Sequence, residues 1–411
     1  MIIKLKNGIS LQNSKFISKN IDVENTIKIN PQLKDTYDLG GKIIIHGLVN
    51  IHLHLGESIY RHFLSPKLNL STYIKNTNKI DKILNNHKDY RKIISEMTIF
   101  ESIKCGTTHI SGPRLGEIPN NLNLGFTDSS IIMNSDKLSN EINILKENLK
   151  INKIPKNIFI HSLEYVSQNE LILIKELKKK NKAIKIFIHT AETKETESMV
   201  IKKYKKSSIQ VLEDYKLLDE NTILIHCNAV SNSDYRKIFK ARSWIVHCPS
   251  TSLWLDGITL PLAELARKYN RICIATDGSA TSGTFSLLSE ARLAYIYHNK
   301  NKFSISAEKI FNMITINPSK ALGINTNKIN LTILNSQNGQ LTSENFYHQL
   351  ILNEANHSIF GVVSKGNLIY TNKNNSTKLE EVIKNYNKLI IKSKQKIKNV
   401  LQQEKRIVLG N

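Results

Sequence analysis

The sequence predicts an α/β protein whose main domain is a closed (β/α)8 TIM barrel, flanked by a small β-sandwich domain built from both chain ends. Short, nearly continuous apolar runs alternate with helical segments, which is typical of parallel strands covered on both faces by helices. About eight such units fall within roughly 250 residues, the usual extent of a closed barrel. No Gly-x-Gly-x-x-Gly follows the first strand, so an open dinucleotide-binding sheet is disfavoured.

The two chain ends predict strands outside the barrel. Their β-like runs lie at 2–5, 26–29, 42–45, 349–352 and 360–370. We therefore divide the chain into an N-terminal part of the small β-domain (1–45), the barrel (46–325), a C-terminal part of the small β-domain (326–375) and a basic C-terminal helix (376–411).

The barrel strands are predicted from eight short segments rich in apolar residues. They lie at 47–54, 107–111, 130–133, 157–161, 183–189, 222–226, 244–247 and 272–277. Between the first two segments, apolar residues recur at helical spacing from Asp89 to Lys104, and Gly106 ends that helix. Similar helical stretches separate several of the later strands, as βαβ units require.

Polar residues at the strand ends predict a metal site. The strand-end residues are His54, His161, His189, His226, His247 and Asp277. The carboxyl ends of barrel strands form the floor of the active site, and His52 and His54, at i and i+2, project to the same side of their strand. Three nitrogens from His52, His54 and His189 and an oxygen from Asp277 would hold one divalent ion with room for a water.

Three residues near this site are candidates for proton transfer. Glu192, three residues after His189, could take a proton from the water and hand it to a leaving nitrogen. His226 could orient the water or polarise the substrate, and Asp277 could accept a proton as attack proceeds. By itself, Glu192 could equally be a surface or helix-capping carboxylate, because Thr190 and Thr193 flank it.

Composition limits the location and partners of the protein. The net charge is +23, but the lysines are spread along the chain, so nucleic-acid binding is not expected and attraction of an anionic substrate is the remaining alternative. No apolar run is long enough to cross a membrane. Four scattered cysteines and the absence of an apolar leader predict a reduced, cytoplasmic setting.

Several motifs together resemble the amidohydrolase superfamily, in the branch of triazine hydrolases and S-adenosylhomocysteine/methylthioadenosine deaminases. The resemblance runs from about residue 40 to 325 and is carried by Gly47–His54, His189–Glu195, Leu224–Cys227, Val246–Ser250, Ala275–Ala280 and Leu288–Ala294. It implies a barrel with one zinc or iron ion on His52, His54, His189 and Asp277, with Glu192 and His226 handling protons. It also implies hydrolysis at an aromatic ring carbon, usually deamination.

The resemblance also suggests substrate contacts. His161 falls where the deaminases place a substrate-binding histidine. Around Ser71–Tyr73 the nucleoside deaminases carry a ribose-binding glutamate and a tryptophan, whereas here the acid is missing and Tyr73 replaces the tryptophan. Glu57 and Arg114, on loops near the predicted mouth, could replace lost contacts or be solvated surface charges. The full set of candidate substrate contacts is His161, Glu57, Tyr73, Arg114 and Thr281.

We therefore expect a metal-dependent hydrolytic deaminase that releases ammonia from an amino-purine or related aminated heteroaromatic ring, preferably an adenosine-type nucleoside derivative. The alternative is an amidohydrolase or chlorohydrolase acting on a non-nucleoside ring or amide. A non-catalytic binding protein is disfavoured because all six proposed active-site positions are filled. Zinc is the expected ion and iron the alternative, and a homodimer is compatible with the family resemblance alone.

Overall fold

The structure, a computed structural model, contains two β-sheets surrounded by helices. It describes residues 2–12, 15–25, 36–64, 68–113, 123–132, 143, 155–300, 303–324, 329–335, 342–353, 357–372 and 377–408.

The strands are β1 (Ile2–Gln12), β2 (Lys15–Asn25), β3 (Thr36–Asp38), β4 (Ile43–His46), β5 (Leu48–Asn50), β6 (Thr107–Pro113), β7 (Gly125–Ile132), β8 (Asn157–Ser162), β9 (Lys185–Thr190), β10 (Thr222–His226), β11 (Trp244–His247), β12 (Ile272–Ile274), β13 (Leu331–Asn335), β14 (Ser358–Ser364) and β15 (Asn367–Thr371). The α-helices are α1 (Leu70–Leu84), α2 (Tyr90–Lys104), α3 (Gln168–Lys180), α4 (Lys194–Tyr204), α5 (Ser208–Asp214), α6 (Asn232–Ala241), α7 (Pro249–Leu255), α8 (Leu262–Lys268), α9 (Ser279–Ser282), α10 (Leu287–His298), α11 (Ala307–Met313), α12 (Ile316–Leu322), α13 (Phe346–Leu352) and α14 (Thr377–Val408). Short 3₁₀ helices lie at Tyr60–His62 and Leu163–Tyr165.

Strands β5 to β12 form one parallel sheet in chain order, which confirms the predicted barrel class. The first and last strands of this sheet, β5 and β12, contact each other through the residues that follow them. The amide of Asn50 donates to Thr276 Oγ1 at 2.7 Å, and the backbone N–H of Asp277 donates to the carbonyl of His52 at 3.1 Å. Asn50 and Thr276 are fully buried, so these hydrogen bonds satisfy polar groups that water cannot reach.

The second sheet combines both chain ends, as predicted. Its order is β2-β15-β14-β13-β4-β1-β3, and β2 also pairs with β1, so the strands are connected around a ring. Only Gly47 separates β4 in this sheet from β5 in the barrel. A Cβ on Gly47 would lie 2.5 Å from Thr108 Oγ1, so this junction has no room for a side chain.

The barrel strands alternate between an inner and an outer apolar cluster. Phe159, Phe187 and Ile225 belong to the inner cluster, whereas Ile160 and Ile188 pack outward with the helices. Because side chains alternate with period two along a strand, this alternation determines which strand-end residues face the centre.

Two details differ from the sequence-based expectations. The run 349–352, expected to be a strand, is the end of helix α13, because Phe346, Leu350 and Ile351 form one buried helical face against the barrel helices. The predicted strand 26–29 lies outside the described residues. The proposed domain boundaries at 45, 325 and 375 stay predictions.

Within the described ranges, no helix is both long and apolar enough to cross a membrane.

Replacing Asn50 with alanine tests the closure of the barrel. The variant removes the acceptor of the buried Thr276 amide and the donor to the Thr276 hydroxyl, so we expect the free energy of unfolding to fall by about 1–3 kcal/mol. Urea unfolding followed by circular dichroism measures the change. Asn232→Ala, at an exposed position, is the control. Equal stability of Asn50→Ala and the wild type would contradict the proposed closure.

Candidate metal centre and active-site pocket

The four predicted metal ligands converge at the carboxyl ends of the barrel strands. His52 and His54 follow β5, His189 lies near the end of β9, and Asp277 follows β12. The Nε2 atoms of His52 and His54 each lie 3.1 Å from the same oxygen, Oδ1 of Asp277. Nε2 of His189 lies 3.2 Å from Nε2 of His52. One potential ligand atom from each residue lies within 4.8 Å of the others.

A hydrogen bond on the far side of His189 determines its tautomer. Its Nδ1 lies 2.8 Å from the carbonyl oxygen of His161, which can only accept, so Nδ1 carries the proton. Nε2 of His189 therefore directs a lone pair into the cluster beside the Asp277 carboxylate. Neutral imidazole nitrogens and one carboxylate oxygen are ligands that zinc and similar ions prefer. The donor set fits a divalent cation.

The electrostatics of the cluster agree with that fit. Burial lowers the pKa values of His52 and His189, so both rings are neutral and can act as ligands. Burial alone would raise the pKa of Asp277, but hydrogen bonds to His52 and His54 outweigh it and hold this pKa well below its usual value. Burial likewise opposes protonation of His54, yet Glu57 and Asp277 raise the His54 pKa well above its usual value. The site therefore favours a positive charge, which a metal ion would supply.

Glu192 and His226 lie beside this cluster. Oε1 of Glu192 is 3.6 Å from Nε2 of His226, which in turn is 3.9 Å from Oδ2 of Asp277. Burial, followed by the charge of Asp277, raises the pKa of Glu192 well above its usual value. Burial lowers the pKa of His226 to about 3, and neither ring nitrogen has a hydrogen-bond partner among the described atoms. The ring nitrogens of this buried imidazole therefore keep the capacity to hydrogen-bond to water or substrate.

The backbone around these residues contains several left-handed conformations. Positive φ angles occur at Ala191 (45°), His226 (73°), Cys227 (56°) and Asp277 (59°). Each such non-glycine residue costs on the order of 1–3 kcal/mol, and such residues cluster at functional sites. By strict alternation, His226 would point outward with Leu224. The left-handed turn at the end of β10 explains why it faces Glu192 and Asp277 instead.

A cavity of about 310 Å³ opens beside the metal cluster. Four of the predicted substrate contacts, His161, Glu57, Tyr73 and Thr281, line it. The Tyr73 hydroxyl donates to Oε2 of Glu57 at 2.7 Å, and the other Glu57 oxygen lies 3.0 Å from Nδ1 of His54. Arg114 lies outside the described residues, so its role stays a prediction.

His161 is a neutral ring at the cavity wall. The hydroxyl oxygen of Ser162 lies 3.1 Å from Nδ1 of His161, which leaves Nε2 for a contact to a ligand. Burial lowers the pKa of His161 to about 4, so one nitrogen of the neutral ring carries a proton and the other is an acceptor.

Sequence reasoning missed Glu164, which lines the same cavity. A usable signal exists in the sequence. Glu57, Glu164 and Glu192 each lie three residues after a strand-end histidine, namely His54, His161 and His189. All three glutamates reach the cavity wall.

His247 lies at a strand end but contacts a different set of residues. Its Nε2 is 3.3 Å from Thr259 Oγ1 and 3.3 Å from Nε2 of His298. It is in phase with Ile245, which packs outward, whereas Val246 and Cys248 belong to the inner cluster. Period-two alternation therefore explains why this histidine is directed towards the helices.

Residues 43–331 match the model of the amidohydrolase family, and the chain belongs to that family. A 5-methylthioadenosine/S-adenosylhomocysteine deaminase of Pyrococcus abyssi is 35% identical over 34% of this chain, and the match spans only 33% of that relative. A 5′-deoxyadenosine deaminase of Methanococcus vannielii is 24% identical over 81% of this chain and 85% of its own length.

Solved structures share the fold over nearly the whole chain. An adenosine deaminase from Xanthomonas campestris with bound zinc has a TM-score of 0.75 at 15% identity, covering 96% of this chain and 98% of its own. A triazine hydrolase from Arthrobacter aurescens has a TM-score of 0.75 at 16% identity, covering 95% and 99%. At such identities these likenesses establish the fold alone.

Removing one ligand tests the metal centre. We expect the wild type to bind one divalent ion per chain. Asp277→Ala should bind far less, because Asp277 supplies the one oxygen donor among the four clustered groups. Inductively coupled plasma mass spectrometry of dialysed protein measures the stoichiometry. His247→Gln, outside the cluster, should keep the metal. Full metal content in Asp277→Ala would contradict the ligand assignment.

Proposed function

We propose that the protein is a metal-dependent hydrolytic deaminase that releases ammonia from an adenosine-type nucleoside or a related aminated heteroaromatic ring. The observation that carries this proposal is the convergence of His52, His54, His189 and Asp277 on one point, with Glu192 and His226 beside it. The names of the relatives support the choice of reaction, because both are deaminases of adenosine derivatives.

We propose zinc as the bound ion and iron as the alternative, with His52, His54, His189 and Asp277 as its ligands. When bound, such an ion acidifies a water molecule and so provides a nucleophile near neutral pH.

Two carboxylates, Glu192 and Asp277, then transfer protons, and His226 orients the reacting groups. Deamination replaces the amino group by oxygen from water, so both water protons must leave that oxygen. Glu192 takes one and passes it to the leaving nitrogen, a role that suits its raised pKa because a carboxyl that binds a proton more readily can both accept and return it. Asp277 accepts the second proton as attack proceeds and releases it to the ring nitrogen, so that ammonia and a ring carbonyl form and the carboxylate is restored. His226, neutral and buried, orients the water and the carbon under attack.

The cavity supports a substrate of modest size. Its volume of about 310 Å³ is at the lower end of ordinary ligand pockets. Nε2 of His161 would form a hydrogen bond with the substrate ring, and Tyr73 would hold Glu57 in place. Thr281, whose hydroxyl lies 2.7 Å from that of Thr251, would complete the wall.

The alternative is hydrolysis of an amide or a carbon–chlorine bond in a non-nucleoside ring. The missing acid around residues 71–73 favours it, because the usual ribose contact is absent there. Turnover of a triazine or a lactam, with every nucleoside inert, would establish this alternative. The cytoplasmic location and the homodimer expected from the sequence stay predictions.

Replacing Glu192 with glutamine tests the reaction. We expect kcat for ammonia release from 5′-deoxyadenosine to fall by about 10²–10⁴-fold, because the amide cannot accept and return the proton. Metal content should stay at the wild-type level, since Glu192 is not among the four ligands. A coupled glutamate dehydrogenase assay measures ammonia directly.

Glu195→Gln is the matched control, because Glu195 is an exposed glutamate three residues further along the chain. We expect it to keep wild-type activity. Near wild-type turnover by Glu192→Gln would remove Glu192 from the mechanism. If the wild type released no ammonia from any aminated ring tested, the deaminase proposal itself would be wrong.

A further inference from the structure

The cavity beside the metal cluster is acidic, although the whole chain is strongly basic. Four carboxylates line it, those of Glu57, Glu164, Glu192 and Asp277. Among its described lining residues there is no lysine or arginine.

Three of these carboxylates already have a partner or a proposed role. Asp277 contacts His52 and His54, and Glu57 accepts from Tyr73, whereas Glu192 is the proposed proton carrier. The Glu164 carboxyl lies near enough to Ser162 for its hydroxyl to affect the Glu164 pKa, but burial outweighs this contact and raises that pKa. An ionised carboxylate offers about four acceptor positions, so Glu164 keeps acceptor capacity towards the cavity.

Lys203 and Tyr204 of helix α4 hold the backbone of residues 163–166, the segment that carries Glu164. The Lys203 ammonium lies 3.2, 3.0 and 2.7 Å from the carbonyl oxygens of Leu163, Glu164 and Val166. The Tyr204 hydroxyl donates to the Val166 carbonyl at 2.6 Å. Lys203 thus binds the backbone of this short 3₁₀ helix, and these bonds hold Glu164 at the cavity wall.

Glu164 also lies on the same side of the cavity as His161. Both residues and the intervening Ser162 line the cavity, and the Ser162 hydroxyl oxygen lies 3.1 Å from Nδ1 of His161. A substrate whose ring contacts His161 would extend its next polar groups past Ser162 towards Glu164.

We propose that the Glu164 carboxylate accepts hydrogen bonds from the two adjacent sugar hydroxyls of a nucleoside substrate. This inference rests on the proposed function. 5-Methylthioadenosine and 5′-deoxyadenosine, named for the relatives, share the 2′- and 3′-hydroxyls and differ at the 5′ position. Paired oxygens of one carboxylate match a pair of neighbouring hydroxyl donors. Glu164 would therefore supply the contact that the missing acid at 71–73 no longer provides.

The test compares two variants on two substrates. The substrates are 5′-deoxyadenosine and its analogue without the 2′- and 3′-hydroxyls, and the variants are Glu164→Gln and the exposed control Glu195→Gln. We expect Glu164→Gln to lower kcat/KM for 5′-deoxyadenosine by about 10- to 100-fold and to change kcat/KM for the analogue by less than about 3-fold. Glu195→Gln should leave both values unchanged.

Equal losses on both substrates would mean that Glu164 acts through the fold of the segment, and no loss on either would remove it from the substrate site. Either result overturns the inference.

Isothermal titration of 5′-deoxyadenosine into the metal-loaded protein separates this inference from the proposed function. If the wild type binds the nucleoside without releasing ammonia, the deaminase proposal fails while a 10-fold or larger weakening in Glu164→Gln still supports the hydroxyl contact. If the wild type does not bind the nucleoside, the inference is wrong as well.

Discussion

The site depends on one contact between the residues that follow the first and last barrel strands, β5 and β12. Oδ1 of Asp277 lies 3.1 Å from Nε2 of both His52 and His54, although 225 residues separate His52 from Asp277. The buried pair Asn50 and Thr276 holds the same two strand ends together one layer below. Without that closure, Asp277 would not be held beside His52 and His54. Barrel stability and metal binding are therefore coupled through a few neighbouring residues.

Much of the site could be predicted from the sequence because it follows the period-two alternation of strands. Phe187 faces inward, so His189, two residues later, faces inward as well, and the same holds for Phe159 and His161. His247 shows the limit of reading only strand ends, because its phase with Ile245 directs it outward. Alternation fails at His226, where a φ of 73° redirects the side chain, and single-sequence patterns do not encode such a turn.

The remaining parts of the site depend on contacts between distant segments. Lys203 holds the carbonyl of Glu164 from 39 residues further along the chain, and Tyr73 reaches Glu57 from helix α1. Neither contact leaves a local pattern. The recurring spacing of a glutamate three residues after a strand-end histidine does leave one, and Glu164 shares it with Glu57 and Glu192. The strand predicted at 349–352 is wrong, because a four-residue run is too short to distinguish period two from the helical period of α13.

The net charge of +23 and the acidic cavity have opposite consequences for the substrate. Charges on the protein surface are largely screened beyond about 8 Å at physiological ionic strength. The carboxylates of Glu57 and Glu164 line the cavity itself, where screening is weaker and a ligand meets them directly. An anionic group such as a phosphate placed beside Glu164 would be repelled at short range, whatever the distant lysines contribute. The lining of the cavity therefore does not favour an anionic substrate, and attraction of one by the positive field stays an untested alternative. The local charges favour a neutral substrate that offers hydrogen-bond donors.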